Sequence, residues 1–271
     1  MKSWVSERTV RVLVIVAACW ATISCGRDAE VSKAEPIRIL FVGNSLTYVG
    51  NLPAVVDELS RANGRATSSD MIVTGGATLT DRVEDGSVAA ALATRKYAYV
   101  VLQERGGDFS CGFGPESCEN ARASLAALAS IAKDHGAEPL LLGTYRGLDD
   151  AWHSIESAES LAAWNVGADY IGVSERLREL HSRHPEMTWF AEDDKHPGAD
   201  LTLMEAILLY ERIHGAKPST SAFVVSAPIY TYTLPVSPEL RAAAAPSEEA
   251  SLPTSASYEA DRIGAVLEGL R

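Results

Sequence analysis

An α/β sandwich built on a mainly parallel sheet is the architecture this sequence encodes. Short apolar runs without alternation recur at 37–42 (IRILFV), 70–74 (DMIVT), 98–103 (AYVVLQ), 139–143 (PLLLG) and, more briefly, 169–173 (DYIGV). Strands of a parallel sheet are covered on both faces, so they carry apolar residues at successive positions. Stretches with helical spacing lie between the runs. A repeated strand–helix order sets parallel strands side by side through helical crossovers.

The elements follow in order. The first strand stops at Gly43-Asn44-Ser45. The first helix is expected from about Leu52 to Asn63, because Asn51 is a good N-cap, Pro53 suits a first turn and Gly64 ends it. Ser45 lies six residues before that cap and is therefore expected in a loop at the carboxyl end of the first strand. Ligands bind at that edge in open α/β sheets. The plainer reading of Ser45 is a helix cap. Further helices are expected at about 87–95, 118–135, 153–166, 174–183 and 199–214. Residues 216–256 are rich in Ala, Ser and Pro and hold one strand-like piece, AFVVSAPIYTYTL, which suits a surface excursion that shapes the site. Ile263, Val266, Leu267 and Leu270 restore helical spacing and are expected to dock on the core. Residues 36–271 are thus expected to form one domain.

The 271 residues carry a formal charge of −12, which argues against nucleic acid as a partner, since phosphate binding needs a basic face. At the N-terminus, Lys2, Arg8 and Arg11 precede the apolar stretch Val12 to Trp20, the layout of a secretory signal peptide over residues 1–25. The run closes on ATISCGRD, where a small residue before Cys25 resembles a bacterial lipobox with lipid on the Cys25 thiol. Thr22 replaces the usual leucine, so cleavage as a plain secreted protein is the alternative. Export is expected either way, to the bacterial cell envelope with a membrane held through the lipid in the first case and as a secreted protein in the second. Residues 26–35 are polar and suit a tether. Cys111 and Cys118, in SCGFGPESC, are close enough to pair, and an oxidising compartment favours a disulfide over a metal pair. No second Cys/His pair stands at zinc spacing.

The second chemical feature is FAEDDKHPGAD, residues 190–200. A serine is a weak nucleophile until a histidine takes its proton, and that histidine needs an acceptor to fix its tautomer. Asp193 stands three residues before His196, and Glu192 and Asp194 compete for the same role by proximity. Tyr145, Arg146 and Trp152 follow the fourth strand and are candidates for a pocket wall or for packing beneath a loop.

Together these blocks resemble the SGNH (GDSL-like) hydrolase superfamily. Its first block, Gly-Asp-Ser-Leu after a strand, stands here as Gly43-Asn44-Ser45-Leu46, and its last, Asp-x-x-His-Pro, as Asp193 to Pro197. The resemblance spans roughly residues 37–215 and implies a three-layer α/β/α flavodoxin-like fold. It implies Ser45 as nucleophile, His196 as base and Asp193 as its partner, with ester hydrolysis that needs no metal or organic cofactor. It also implies an oxyanion hole from the backbone N–H of Ser45 and of Gly76, with Gly75 as second choice. The family's asparagine after the third strand is absent, and Gln103 is the nearest amide to replace it. Asn44 replaces the family's aspartate and is expected to hold the loop without a chemical step. The substrate class this implies is a small-molecule or glycan ester, such as an O-acetyl sugar. An acyltransferase on the same triad and a carbohydrate-binding lipoprotein without catalysis are the alternatives. The sequence leaves the oligomeric state open.

Overall fold

The computed structural model describes Met1 and residues 35–148, 150–247 and 249–270. The expected signal peptide, lipidation site Cys25 and nearly all of the tether lie outside the described residues. Five strands run parallel in one sheet: β1 (Ile37–Gly43), β2 (Thr67–Val73), β3 (Tyr99–Leu102), β4 (Glu138–Leu142) and β5 (Asp169–Ile171). The spatial order is β5-β4-β3-β1-β2, and β7 (Arg241–Ala242) adds an antiparallel edge on β2. A separate antiparallel pair joins β6 (Phe223–Val225) to β8 (Ala256–Tyr258).

Side-chain alternation along β1 explains the layers. Ile39 and Phe41 enter one apolar layer, and Leu40 and Val42 the other. All four are fully buried, which is why the run reads as uninterrupted apolar sequence. The first layer is closed by α2 (Leu52–Ala62), α7 (Ser174–Arg183), α8 (Ala199–His214) and α9 (Ala260–Gly269). The second is closed by α3 (Leu79–Glu84), α4 (Ser87–Thr94), α5 (Pro115–Asp134) and α6 (Trp152–Val166). This is the expected α/β/α sandwich. The two covered faces account for α8, where twelve of sixteen residues are buried.

Three local departures have simple causes. A one-turn helix, α1 (Ser45–Tyr48), forms directly after β1, because the Asn44 side chain accepts from the Leu46 N–H. Helix α3 starts at a capping box, Thr78 with Asp81, whose two side chains each accept from the other's backbone N–H. Helix α5 begins at Pro115, earlier than expected, since Pro at the first helical position gives up no hydrogen bond.

The stretch 216–256 packs back onto the domain. Asn51 holds it: its Nδ2 donates to Pro228 O at 2.8 Å and Ala243 O at 3.0 Å, while its Oδ1 caps α2 through the Ala54 N–H. Gly50 N–H also donates to Tyr230 O at 3.0 Å. Among the described residues, no helix is long and apolar enough to cross a membrane.

Candidate active site

Chain reversal about β1 places the site. Strand β2 lies to one side of β1 and β3 to the other, so a crevice opens at their carboxyl ends. Ser45 follows β1, Gly76 follows β2, Arg105 and Gly106 follow β3, and Tyr145 and Arg146 follow β4. All of them, with His196, line one cleft of about 660 Å³.

His196 reaches this cleft from the loop between α7 and α8. The loop is a tight hairpin: Ala191 N–H donates to His196 O, Gly198 N–H to Trp189 O and Asp194 N–H to Ala191 O. Trp189, fully buried, anchors it and donates its indole N–H to His184 O at 2.8 Å. A side chain at Gly198 would collide with the backbone oxygens of Thr188 and Phe190, so only glycine lets the two arms close. Asp194, the residue after Asp193, takes a left-handed φ of 56° and lines the cleft.

The three side chains form a continuous hydrogen-bonded series. Ser45 Oγ lies 2.9 Å from His196 Nε2, and His196 Nδ1 lies 2.6 Å from Asp193 Oδ2. Among the three acids left open by the sequence, Asp193 meets the histidine. Its Oδ1 also accepts from the Lys195 and His196 backbone N–H groups at 3.1 and 3.0 Å. Burial alone would raise the Asp193 carboxyl. Hydrogen bonds from the His196 backbone and ring and the Lys195 backbone, with the charge on a protonated His196, outweigh it and hold the group below the usual range. A serine hydroxyl, an imidazole and an ionised carboxylate in this order can pass a proton from Oγ to Nε2 and stabilise the imidazolium that forms.

Ser45 is the first residue of α1, where a loop was expected, and Asn44 takes the capping role. The Asn44 Nδ2 donates to Ala77 O at 3.1 Å, tying the turn after β1 to the turn after β2. Gly76 lines the cleft at a φ of 70°, whereas a side chain at Gly75 would face the Tyr48 hydroxyl. Among the described residues, neither the Ser45 nor the Gly76 N–H meets a protein acceptor.

Gln103 departs from expectation. Its side chain is 1 % exposed and turns into the core behind the site. Its Oε1 accepts from Thr47 Oγ1 at 2.7 Å, and its Nε2 donates to Gly143 O and Glu205 Oε1, both at 3.3 Å. An amide with both ends occupied in the core is not available to an oxyanion in the cleft. The sequence reading of Gln103 as a donor is corrected on that ground. Glu205 is itself fully buried, and loss of water pushes its carboxyl up to about 8, a shift that the Gln103 hydrogen bond only moderates.

Cys111 and Cys118 form the expected disulfide. It closes the loop that carries Phe113 into the cleft, where the Arg105 guanidinium lies 4.5 Å from the ring centre. Tyr145 and Arg146 line the cleft, while Trp152 faces the Arg178 guanidinium instead. Tyr232 escaped the sequence reading. Its ring stacks on His196 with centroids 5.5 Å apart and planes within 10°. Only its place in the excursion expected to shape the site hinted at a role, because no spacing rule links residues 196 and 232.

No family model matches the sequence, and no curated protein matches it. Solved structures do. An SGNH hydrolase from Slackia heliotrinireducens is 24 % identical with a TM-score of 0.52, over 66 % of this chain and 100 % of that one. A DUF4886 family protein from Bacteroides uniformis is 16 % identical with a TM-score of 0.55, over 67 % and 84 %. The psychrotrophic esterase EstA from Pseudoalteromonas sp. is 15 % identical with a TM-score of 0.51, over 66 % and 97 %. With β1 to β5 parallel between two helical layers, and Ser45 and His196 meeting at the carboxyl edge of that sheet, the chain has the SGNH (GDSL-like) hydrolase fold.

Proposed function

We propose that the protein is an exported serine esterase that removes a small acyl group, acetyl in the first instance, from a carbohydrate or similar polar substrate. The observation that carries this reading is the Ser45–His196–Asp193 relay, with heavy-atom separations of 2.9 and 2.6 Å. Likeness of fold to an esterase supports it. Export and a lipid on Cys25 rest on the N-terminal sequence alone.

The chemistry follows from the relay. Ser45 Oγ attacks the ester carbonyl carbon as its proton moves to His196 Nε2, and Asp193 stabilises the imidazolium. Negative charge collects on the former carbonyl oxygen, where the Ser45 and Gly76 N–H groups are the nearest candidate donors. Collapse breaks the bond to the alcohol, which leaves with the proton from Nε2. Water then repeats the sequence on the acyl-enzyme, releasing acid and free serine.

The test is hydrolysis of 4-nitrophenyl acetate by the purified protein beside Ser45→Ala and His196→Ala. Both variants are expected to lose activity to the same floor, because members of a triad act as one unit. Equal turnover by all three proteins would remove the triad assignment.

A further inference from the structure

We propose that Phe113 sets the specificity of this cleft by stacking on the pyranose ring that bears the acyl group, an inference that rests on the esterase reading above. Phe113 lines the same cleft as Ser45 and His196, yet it is 54 % exposed. The Arg105 guanidinium sits over the ring, 4.5 Å from its centre. A lone exposed phenylalanine carries no meaning by itself. This one differs in how firmly its loop is held beside a nucleophile.

Residues 105–118 are cross-braced. Arg105 donates Nε and one terminal nitrogen to Asp108 at 2.8 and 3.0 Å, and the buried Asp108 also accepts from the Ser117 hydroxyl. Cys111 N–H donates to Asp108 O at 3.0 Å, Gly112 N–H to Gly107 O at 2.8 Å and Gly114 N–H to Cys111 O at 3.0 Å. Phe109 is buried and plants the loop in the core, and Arg122 of α5 donates to its carbonyl at 2.9 Å. The Cys111–Cys118 disulfide ties the loop to the first turn of α5. Arg146 packs along it in a berth made of glycine: a Cβ at Gly106, Gly107 or Gly112 would stand 3.2, 3.0 or 3.1 Å from its side-chain atoms. A ring held in this way loses little freedom when a ligand settles on it, so more of the contact energy appears as affinity.

The surroundings of the ring select the ligand. Among the described residues that line the cleft, the apolar side chains are Leu46, Phe113 and Tyr145, set among polar groups and glycines. A pyranose offers a face of C–H groups, which the negative face of an aromatic ring attracts, and a polar rim. It therefore fits one aromatic face in a polar cleft. A long acyl chain is apolar on all sides and calls for an enclosed apolar pocket, whereas Phe113 stands half in water. The alcohol side of the ester, a sugar ring, is the part that meets Phe113.

The experiment compares glucose pentaacetate with glycerol triacetate, two polyol acetates of which only the first holds a pyranose ring. The quantity read is the ratio of their kcat/KM values, in the parent and in Phe113→Ala, Phe113→Leu and Phe113→Trp. A partly unfolded variant lowers both rates alike and leaves the ratio untouched. The expected ratio is about tenfold lower in Phe113→Ala and Phe113→Leu, and within about threefold of the parent in Phe113→Trp, because the sugar needs a flat aromatic face and not apolar bulk. An unchanged ratio in Phe113→Ala, with both acetates turned over in a Ser45-dependent way, overturns the platform and leaves the esterase reading intact. Full recovery in Phe113→Leu overturns stacking. A fall in Phe113→Ala of kcat/KM for ethyl hexanoate relative to ethyl acetate, with the polyol ratio unchanged, assigns Phe113 to the acyl chain and overturns the sugar ring. If the parent turns over no ester, the esterase reading fails. Saturation-transfer NMR of Ser45→Ala with the pentaacetate, with and without Phe113→Ala, then reads the stack without chemistry. Equal transfer to the ring hydrogens in both, or none in either, overturns the proposal.

Discussion

Replacing Gln103 separates a core role from a catalytic one. In Gln103→Leu the side-chain volume is nearly kept and the amide is lost. The Thr47 hydroxyl then has no acceptor, and Glu205 Oε1 and Gly143 O lose a donor, all in a region closed to water. A buried polar group left without its partner costs about 1–3 kcal/mol, more than the net worth of the bond itself. The Gly143 and Glu205 contacts, at 3.3 Å, are long and count for less than the 2.7 Å bond from Thr47. The expected loss is therefore about 2–4 kcal/mol, a fall in Tm of roughly 5–15 °C for a domain of this size. Because both ends of the amide are used in the core, kcat on 4-nitrophenyl acetate, measured well below Tm, should stay within about threefold. An oxyanion donor would behave in the opposite way, with a hundredfold to thousandfold loss of kcat and an unchanged Tm. Thr47→Val controls for indirect effects through α1, since it removes the same 2.7 Å bond and spares the amide. A hundredfold loss of kcat in Gln103→Leu, with Tm held and Thr47→Val fully active, would refute the reasoning.

Three further outcomes are expected. Tyr232→Ala should lower kcat about three- to thirtyfold while Tyr232→Phe stays close to the parent, since a stacked ring stabilises the imidazolium by about 0.5–2 kcal/mol. A drop in Tyr232→Phe as large as in Tyr232→Ala would show that the hydroxyl, not the ring, matters. Asn51→Ala should cost about 2–4 kcal/mol in urea unfolding, because it removes a helix cap and leaves Pro228 O and Ala243 O without a donor, at a residue with φ of 55°. A loss under about 1 kcal/mol would mean that the excursion holds itself in place. The buried Glu205 carboxyl, raised from 4.5 to about 8, binds a proton in the folded protein that the unfolded chain has already released. Its contribution is complete below about pH 4.5 and declines as pH rises through about 8. Thermal melts of Glu205→Gln should therefore lose less Tm between pH 5 and 8 than the parent, and parallel curves would discount Glu205.

Much of this was legible in one dimension. Strands β1 to β5 announce themselves as apolar runs, because burial on both faces of a parallel sheet removes any alternation. Helix α2 is written in Asn51, Pro53 and Gly64, since caps and prolines act on their own neighbours. Asp193 and His196 share one turn, so their pairing needs only local geometry. The short helix α1 was not legible. Four residues hold too little periodic signal, and their stability comes from the Asn44 cap and the strand that feeds it.

Contacts across the chain needed the fold. The type and spacing of residues allow a serine 151 positions from His196 to be a nucleophile, but only the meeting of the α7–α8 loop with the turn after β1 sets them 2.9 Å apart. Gln103 marks the limit from the other side. Its position after the third strand suits an oxyanion donor, yet rotation about its own side-chain bonds decides whether the amide faces the cleft or Thr47, and core packing chose Thr47. Tyr232 and Arg146 were decided in the same way. A stack on His196 and a berth over three glycines arise from where distant segments come to rest, and no local pattern in the sequence carries that information.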